Sequence, residues 1–161
     1  MTVNKQMWII VLIFMGAIIA ACPKPAPERA RYDYEPPSRE WTPLRGEDGT
    51  LLFRRTSPPM GIMVHTMCDR YRNAPLAPLS NNLFIGFENR KLIDRGDTKV
   101  AGRDARYIIM ECTTKSAPVK VKAYTFRKGP CIYDIAYFSE PDHFNDQLDT
   151  FEEFVASFEP K

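Results

Sequence analysis

Few residues of this chain could do covalent or metal chemistry: four cysteines (Cys22, Cys68, Cys112, Cys131) and two histidines (His65, His143) in 161 residues. A nucleophilic enzyme needs a thiol or hydroxyl beside a base. His65 and Cys68 are near in sequence, but they lie three apart in a segment that alternates like a strand, so they point to opposite faces. His65 shares its side with Met63 and Met67 and reads as a half-buried histidine rather than a ligand. The chain contains no HExxH, CxxC or GxSxG motif and no glycine-rich phosphate loop. Asp142, Asp146, Asp149, Glu152 and Glu153 have helical spacing, for which a solvated outer face is a better account than a cation site. These residues predict no catalytic site, no metal and no cofactor, so the chain reads as a protein that is not an enzyme.

Cys22 has a different setting. Lys5 precedes an apolar run from Met7 to Ile19, which ends in Ile19-Ala20-Ala21-Cys22. The run is shorter than the roughly 20 residues a helix needs to span a bilayer. It reads as an export signal with small residues at the cleavage point. The segment resembles the bacterial lipobox. That resemblance implies removal of residues 1–21 as a signal peptide, diacylglycerol on the Cys22 sulfur, and firm attachment to a membrane through acyl chains. In Gram-negative lipoproteins an aspartate after the cysteine resembles an inner-membrane retention signal. Pro23 stands there instead, which implies the outer membrane, facing the periplasm. Residues 22–37, with five prolines after Cys22, read as a tether. In extended polyproline II form, at about 3.1 Å per residue, such a tether reaches up to about 45 Å. Tyr32 and Tyr34 read as exposed linker residues.

Charge narrows the partners. The net charge is +2 and falls to +1 without residues 1–21, whose one charge is Lys5. Nucleic acid calls for a concentrated basic face, which this balance does not provide. Lys120, Lys122, Arg127 and Lys128 gather near one hairpin and read as a solvated face.

The elements expected to position the remaining chemistry lie in residues 38–161, the size of one domain. Strands are expected over 50–55 and 60–68, joined by Ser57-Pro58-Pro59. A helix is expected over 75–88 from the spacing of Leu76, Leu79, Leu83, Phe84 and Phe87. From Lys91 the period changes to two, giving strands near 92–100, 105–113, 119–127 and 131–138 with short links that force antiparallel neighbours. A last helix is expected from Pro141, with Ser139 and Asp142 as a capping box and Phe144, Leu148, Phe151, Val155 and Phe158 as its buried stripe. The fold class is α+β: a central antiparallel sheet of about six strands flanked by two amphipathic helices.

This order, with the local texts Val100-Ala101-Gly102-Arg103-Asp104-Ala105, Tyr133-Asp134-Ile135-Ala136-Tyr137 and Phe151-Glu152-Glu153-Phe154-Val155-Ala156-Ser157-Phe158, resembles the PsbP-like superfamily, which includes DcrB-like lipoproteins. The resemblance covers about residues 45–160. It implies an α/β/α sandwich and a non-catalytic binding or assembly module, here one serving an envelope protein complex. A second possibility is a carrier of a small apolar or lipid ligand. It is suggested by Tyr107, Tyr124, Phe126, Tyr133, Tyr137, Phe144 and Phe151, for which core packing is the plainer account.

An exported domain permits disulfides. In the expected meander Cys112 and Cys131 sit on strands running the same way, one strand removed, about six residues of rise apart, too far for a bond. Cys68 with Cys131 is therefore the expected bridge and Cys112 the buried thiol. Pairing of Cys68 with Cys112, or three free cysteines, stays open.

Overall fold

The computed structural model describes residues 30–115 and 117–161. The expected signal peptide, the expected lipidation site Cys22 and the first part of the expected tether lie outside the described residues. Among the described residues no helix is long and apolar enough to cross a membrane.

Seven strands form one antiparallel sheet: β2 (Thr42–Arg45), β3 (Leu51–Thr56), β4 (Pro59–Cys68), β5 (Glu88–Val100), β6 (Arg103–Thr113), β7 (Pro118–Lys128) and β8 (Cys131–Ser139), in the order β2-β3-β4-β8-β7-β6-β5. The short turns after β3, β5 and β7 make the hairpins. At the β5–β6 turn Ala101 and Gly102 both take positive φ, where glycine carries no steric cost. β8 lies at the centre and is buried over nearly its whole length, because both faces of the sheet are covered there. The C-terminal helix α2 (Leu148–Ser157) covers one face, which we term the helix face. Phe151, Phe154, Val155 and the following Phe158 pack there against Ile62, Val64, Tyr133, Ile135 and Tyr137.

Three expectations need correction. The helix expected over 75–88 is only α1 (Leu76–Asn82). Gly86 takes a φ of +92° and turns the chain, so that Glu88 opens β5. The apolar spacing after Asn82 belongs to a turn that packs Phe84 onto the sheet rather than to more helix. The second helix starts as a 3-10 segment, Pro141–Gln147, without a side-chain cap. Ser139 ends β8, and its Oγ donates to the Glu140 carbonyl instead of capping.

The third correction concerns the tether. Tyr32–Asp33 forms a short strand, β1, paired with β9 (Glu159–Pro160). Tyr32 stacks on Phe158 at 4.8 Å between ring centroids, and Tyr34 meets Phe53 edge-on at 5.6 Å. The Glu35 amide donates to Ser157 Oγ, and the Lys161 amide donates to the Arg31 carbonyl. Residues 30–35 are therefore part of the domain, held by aromatic rings that search for apolar cover.

Candidate binding surface

The face of the sheet opposite α2 holds the surface of most interest, and cross-strand register builds it. Leu44, Leu52, Met63, Ala136, Ala123 and Ile108 stand side by side across β2, β3, β4, β8, β7 and β6. In the next row Gly61, Phe138, Val121 and Met110 are neighbours in the same way. The pair Ala136 and Ala123 places two small side chains together at the centre of a sheet otherwise built of large ones. The volume they leave empty is roofed by Leu83, Phe84 and Phe87 from the turn after α1. The result is an open cleft of about 240 Å³, lined by Met63, Val119, Val121 and Phe138 besides these, with Thr114 at one end. Exposed apolar residues flank it: Leu44, 46% exposed, ends the first row, and Ile85, 72% exposed, lies in the turn that forms the roof. Unlike scattered surface leucines, these residues continue a contiguous apolar surface.

One row toward the other end of this face, His65, Asp134, Thr125, Arg106 and Asp97 form a polar line across five strands. Asp134 is 2% exposed and accepts a 2.7 Å hydrogen bond from Thr125 Oγ1. His65 Nδ1 lies 4.0 Å from Asp134 Oδ2. The Asp134 carboxylate beside it raises the His65 pKa against an opposing desolvation, with Asp48 adding charge attraction. Arg106 pairs with Asp97 at 2.9 Å. The buried carboxylate thus links β8 to β7 through Thr125 and to β4 through His65. Cys68 points away, as alternation requires.

Cys68 and Cys131 are directly opposed on β4 and β8 and are joined by a disulfide. Cys112 is a free, buried thiol on the other face, where burial pushes its pKa up and leaves it unreactive. Its neighbour on β7 is Val119, whereas that of Cys131 is Lys128, so the separation along the sheet is larger than the sequence suggested.

The basic residues near the β7–β8 hairpin are not one solvated face. Arg127 lies on the cleft side and donates to the Tyr71 and Ala74 carbonyls, pinning the loop before α1. On the helix face Lys122 pairs with Glu152 at 2.6 Å, and Tyr124 donates to the same carboxylate. Burial and that carboxylate push the Tyr124 hydroxyl well above its ordinary pKa. Of the acidic set, Asp146 meets His143 at 2.8 Å. No group of three or more potential ligands that could hold a metal ion occurs among the described residues. Most of the aromatic residues that suggested a carrier are core; Tyr107 is half-buried and donates to Asp94. Phe126, Tyr133, Tyr137, Phe144 and Phe151 are buried on the helix face, away from the cleft.

Comparison with solved structures places this architecture. A cyanobacterial PsbP (CyanoP) from Synechocystis sp. PCC 6803 superposes with a TM-score of 0.55 at 8% identity, over 89% of this chain and 99% of that one. The fold is PsbP-like. LpqN of Mycobacterium tuberculosis, described as involved in cell envelope biogenesis, is similar over 85% of this chain and 87% of its own, at TM-score 0.61 and 10% identity. A Pseudomonas aeruginosa protein of unknown function, described as a putative regulator, is similar at TM-score 0.57 and 11% identity, over 83% and 85%. No protein-family model and no curated protein matches the sequence.

Within this PsbP-like domain, sequence reading brought Cys68 and Cys131 together. It missed the cleft. The signal for it was present in the alanines at positions 123 and 136, which become partners only once the β7–β8 register is known.

Proposed function

We propose that the chain is a lipid-anchored, non-catalytic binding module of the bacterial envelope, facing the periplasm from the outer membrane and grasping a protein partner in the cleft beside α1. The observation that carries this reading is the size and chemistry of the cleft. At about 240 Å³ it falls below the roughly 300–1,000 Å³ of sites that enclose whole small molecules. It matches a single large apolar side chain entering a dry pocket, the usual anchor of a protein interface. The flanking Leu44 and Ile85 enlarge the apolar area such a partner would cover. The β5 edge is a poorer docking site, because charged residues and two register irregularities interrupt it as they do in protected edges. The fold shared with LpqN, a protein described as involved in envelope biogenesis, and the resemblance of the segment ending at Cys22 to a lipobox support the compartment.

A photoreactive residue at position 85 tests the reading in living cells. The expected result is a discrete protein adduct that disappears in Ala136→Leu, where the added side chain fills the cleft. An adduct of equal yield in the filled variant would refute the proposal. An alkyl-bearing molecule co-purifying with the wild-type chain in native mass spectrometry, and absent from Ala136→Leu, would instead favour a carrier.

A further inference from the structure

We infer that the end of the domain carrying β1, β9 and the turn between β7 and β8 rests on the anionic headgroups of the membrane that anchors the chain. This inference rests on the anchored reading above. Covalent geometry supplies the first argument. Eight Cα-to-Cα steps lead from Cys22 to Ala30. A chain reaches at most about 3.6 Å per residue, so Ala30 stays within about 29 Å of an acylated Cys22. From there the chain is fixed, since Tyr32–Asp33 is paired with β9 and the Arg31 carbonyl accepts from the Lys161 amide. Lys128 Nζ, at the end of β7, donates to the Pro160 carbonyl, so the leash is attached to the end of the sheet where β4 and β7 finish and β8 begins. The ten residues of β4 give the sheet a length of roughly 33 Å at 3.3 Å each, so the opposite end lies that much farther from the point where the leash is attached.

Charge supplies the second argument. At the near end Asp33, Asp69 and Asp104 are held by Lys161, Arg72 and Lys99. Arg31 and Arg70 are exposed and have no carboxylate partner among the described residues, while Arg103 and Lys128 donate to carbonyls rather than to carboxylates. Glu159 beside β1, and Glu47 with Asp48 on the β2–β3 turn, are the acids left. The far end carries Glu140, Asp142, Asp146 and Asp149 in close succession, which an anionic surface repels, against the exposed cations Arg90 and Lys115. Each exposed cation near an anionic membrane is worth about a five-fold gain in partition.

Hydrogen exchange on the full chain, reconstituted in vesicles, tests this. Amides of residues 69–75 and 128–131 are expected to exchange several-fold more slowly on vesicles containing phosphatidylglycerol than on pure phosphatidylcholine, and the difference should vanish in high salt. The double variant Arg31→Glu with Arg70→Glu should lose it, and Lys115→Glu at the far end should keep it. Equal exchange on both vesicles, or slowing confined to residues 114–117, would overturn the inference. The mass of the intact chain reports separately whether position 22 is acylated, so a failure of the anchor is told apart from a failure of the membrane-facing end.

Discussion

Gly61 and Phe138 are cross-strand partners on β4 and β8, and the Phe138 ring lies directly over the glycine. A Cβ at position 61 would come within 2.7 Å of Phe138 Cε2, with another ring carbon nearer still. Phe138 is a wall of the cleft, so the glycine sets the shape of the binding surface from beneath. Gly61→Ala is expected to push the ring aside at a cost of about 1–3 kcal/mol, as overpacking does. Urea denaturation should show a lower midpoint with unchanged slope. An unaltered midpoint would mean that the ring is free to move and does not fix the wall.

The disulfide between Cys68 and Cys131 spans 63 residues, so it restricts much of the unfolded chain. Chain-entropy arguments put the stabilisation at up to about 4 kcal/mol. The double variant Cys68→Ala with Cys131→Ala is expected to unfold at markedly lower denaturant, with the loss reproduced in wild type under reductant. Peptide mapping without reduction should recover a linked pair containing Cys68 and Cys131, with Cys112 alkylated only after unfolding. Alkylation of all three in the folded protein would contradict the bridge.

His65 makes stability depend on pH in a defined direction. Its folded pKa is raised, chiefly by the Asp134 carboxylate beside it, so the folded state binds the proton more tightly than the unfolded state does. The stabilisation is complete below the unfolded value of about 6.5 and fades as pH rises through the folded pKa. His65→Gln should flatten the stability profile over that range. In NMR titration the His65 ring is expected to titrate above 6.5 in wild type and to fall in Asp134→Asn; a shift in the opposite direction would show that desolvation governs the site.

Much of the architecture was legible because period-two alternation is a local signal. The six strands expected on either side of the first helix all exist, and the interruption by Ala101-Gly102 and by Gly129-Pro130 marks the hairpins. What failed was local evidence with two explanations. The spacing of Leu83, Phe84 and Phe87 fits a helix, but a glycine at positive φ turns the same residues into a roof over the sheet. Tyr32 and Tyr34 stand among prolines and charges, so composition hid two rings that find their partners more than a hundred residues away, at Phe154 and Phe158. The cleft was illegible for a similar reason, since it depends on which alanine faces which.

The proposed location rests on acylation of the Cys22 sulfur. With Cys22→Ser, the lipid acceptor is gone, and the precursor is expected to retain residues 1–21 and to lose incorporation of labelled palmitate. Normal processing with unchanged labelling would place any acyl group elsewhere.

The docking of residues 30–35 makes a last expectation, because a true tether and a docked strand differ sharply in protease sensitivity. Tyr32 is half-buried, stacked on Phe158 and set edge-on to Tyr133 at 6.3 Å. Tyr32→Ala removes these contacts, that with Tyr34 at 6.0 Å, and part of the cover over Phe158, at a cost of about 1–3 kcal/mol. Cleavage after Arg31 requires the β1–β9 pairing to open, since its carbonyl is held by the Lys161 amide. Limited trypsin digestion should therefore cut after Arg29 sooner than after Arg31 in wild type, and the delay should shrink in Tyr32→Ala while exposed sites such as Lys115 keep their rates. Were wild type cut after Arg31 as fast as after Arg29, the segment would be undocked in solution, and the short leash proposed above would lengthen to the full tether.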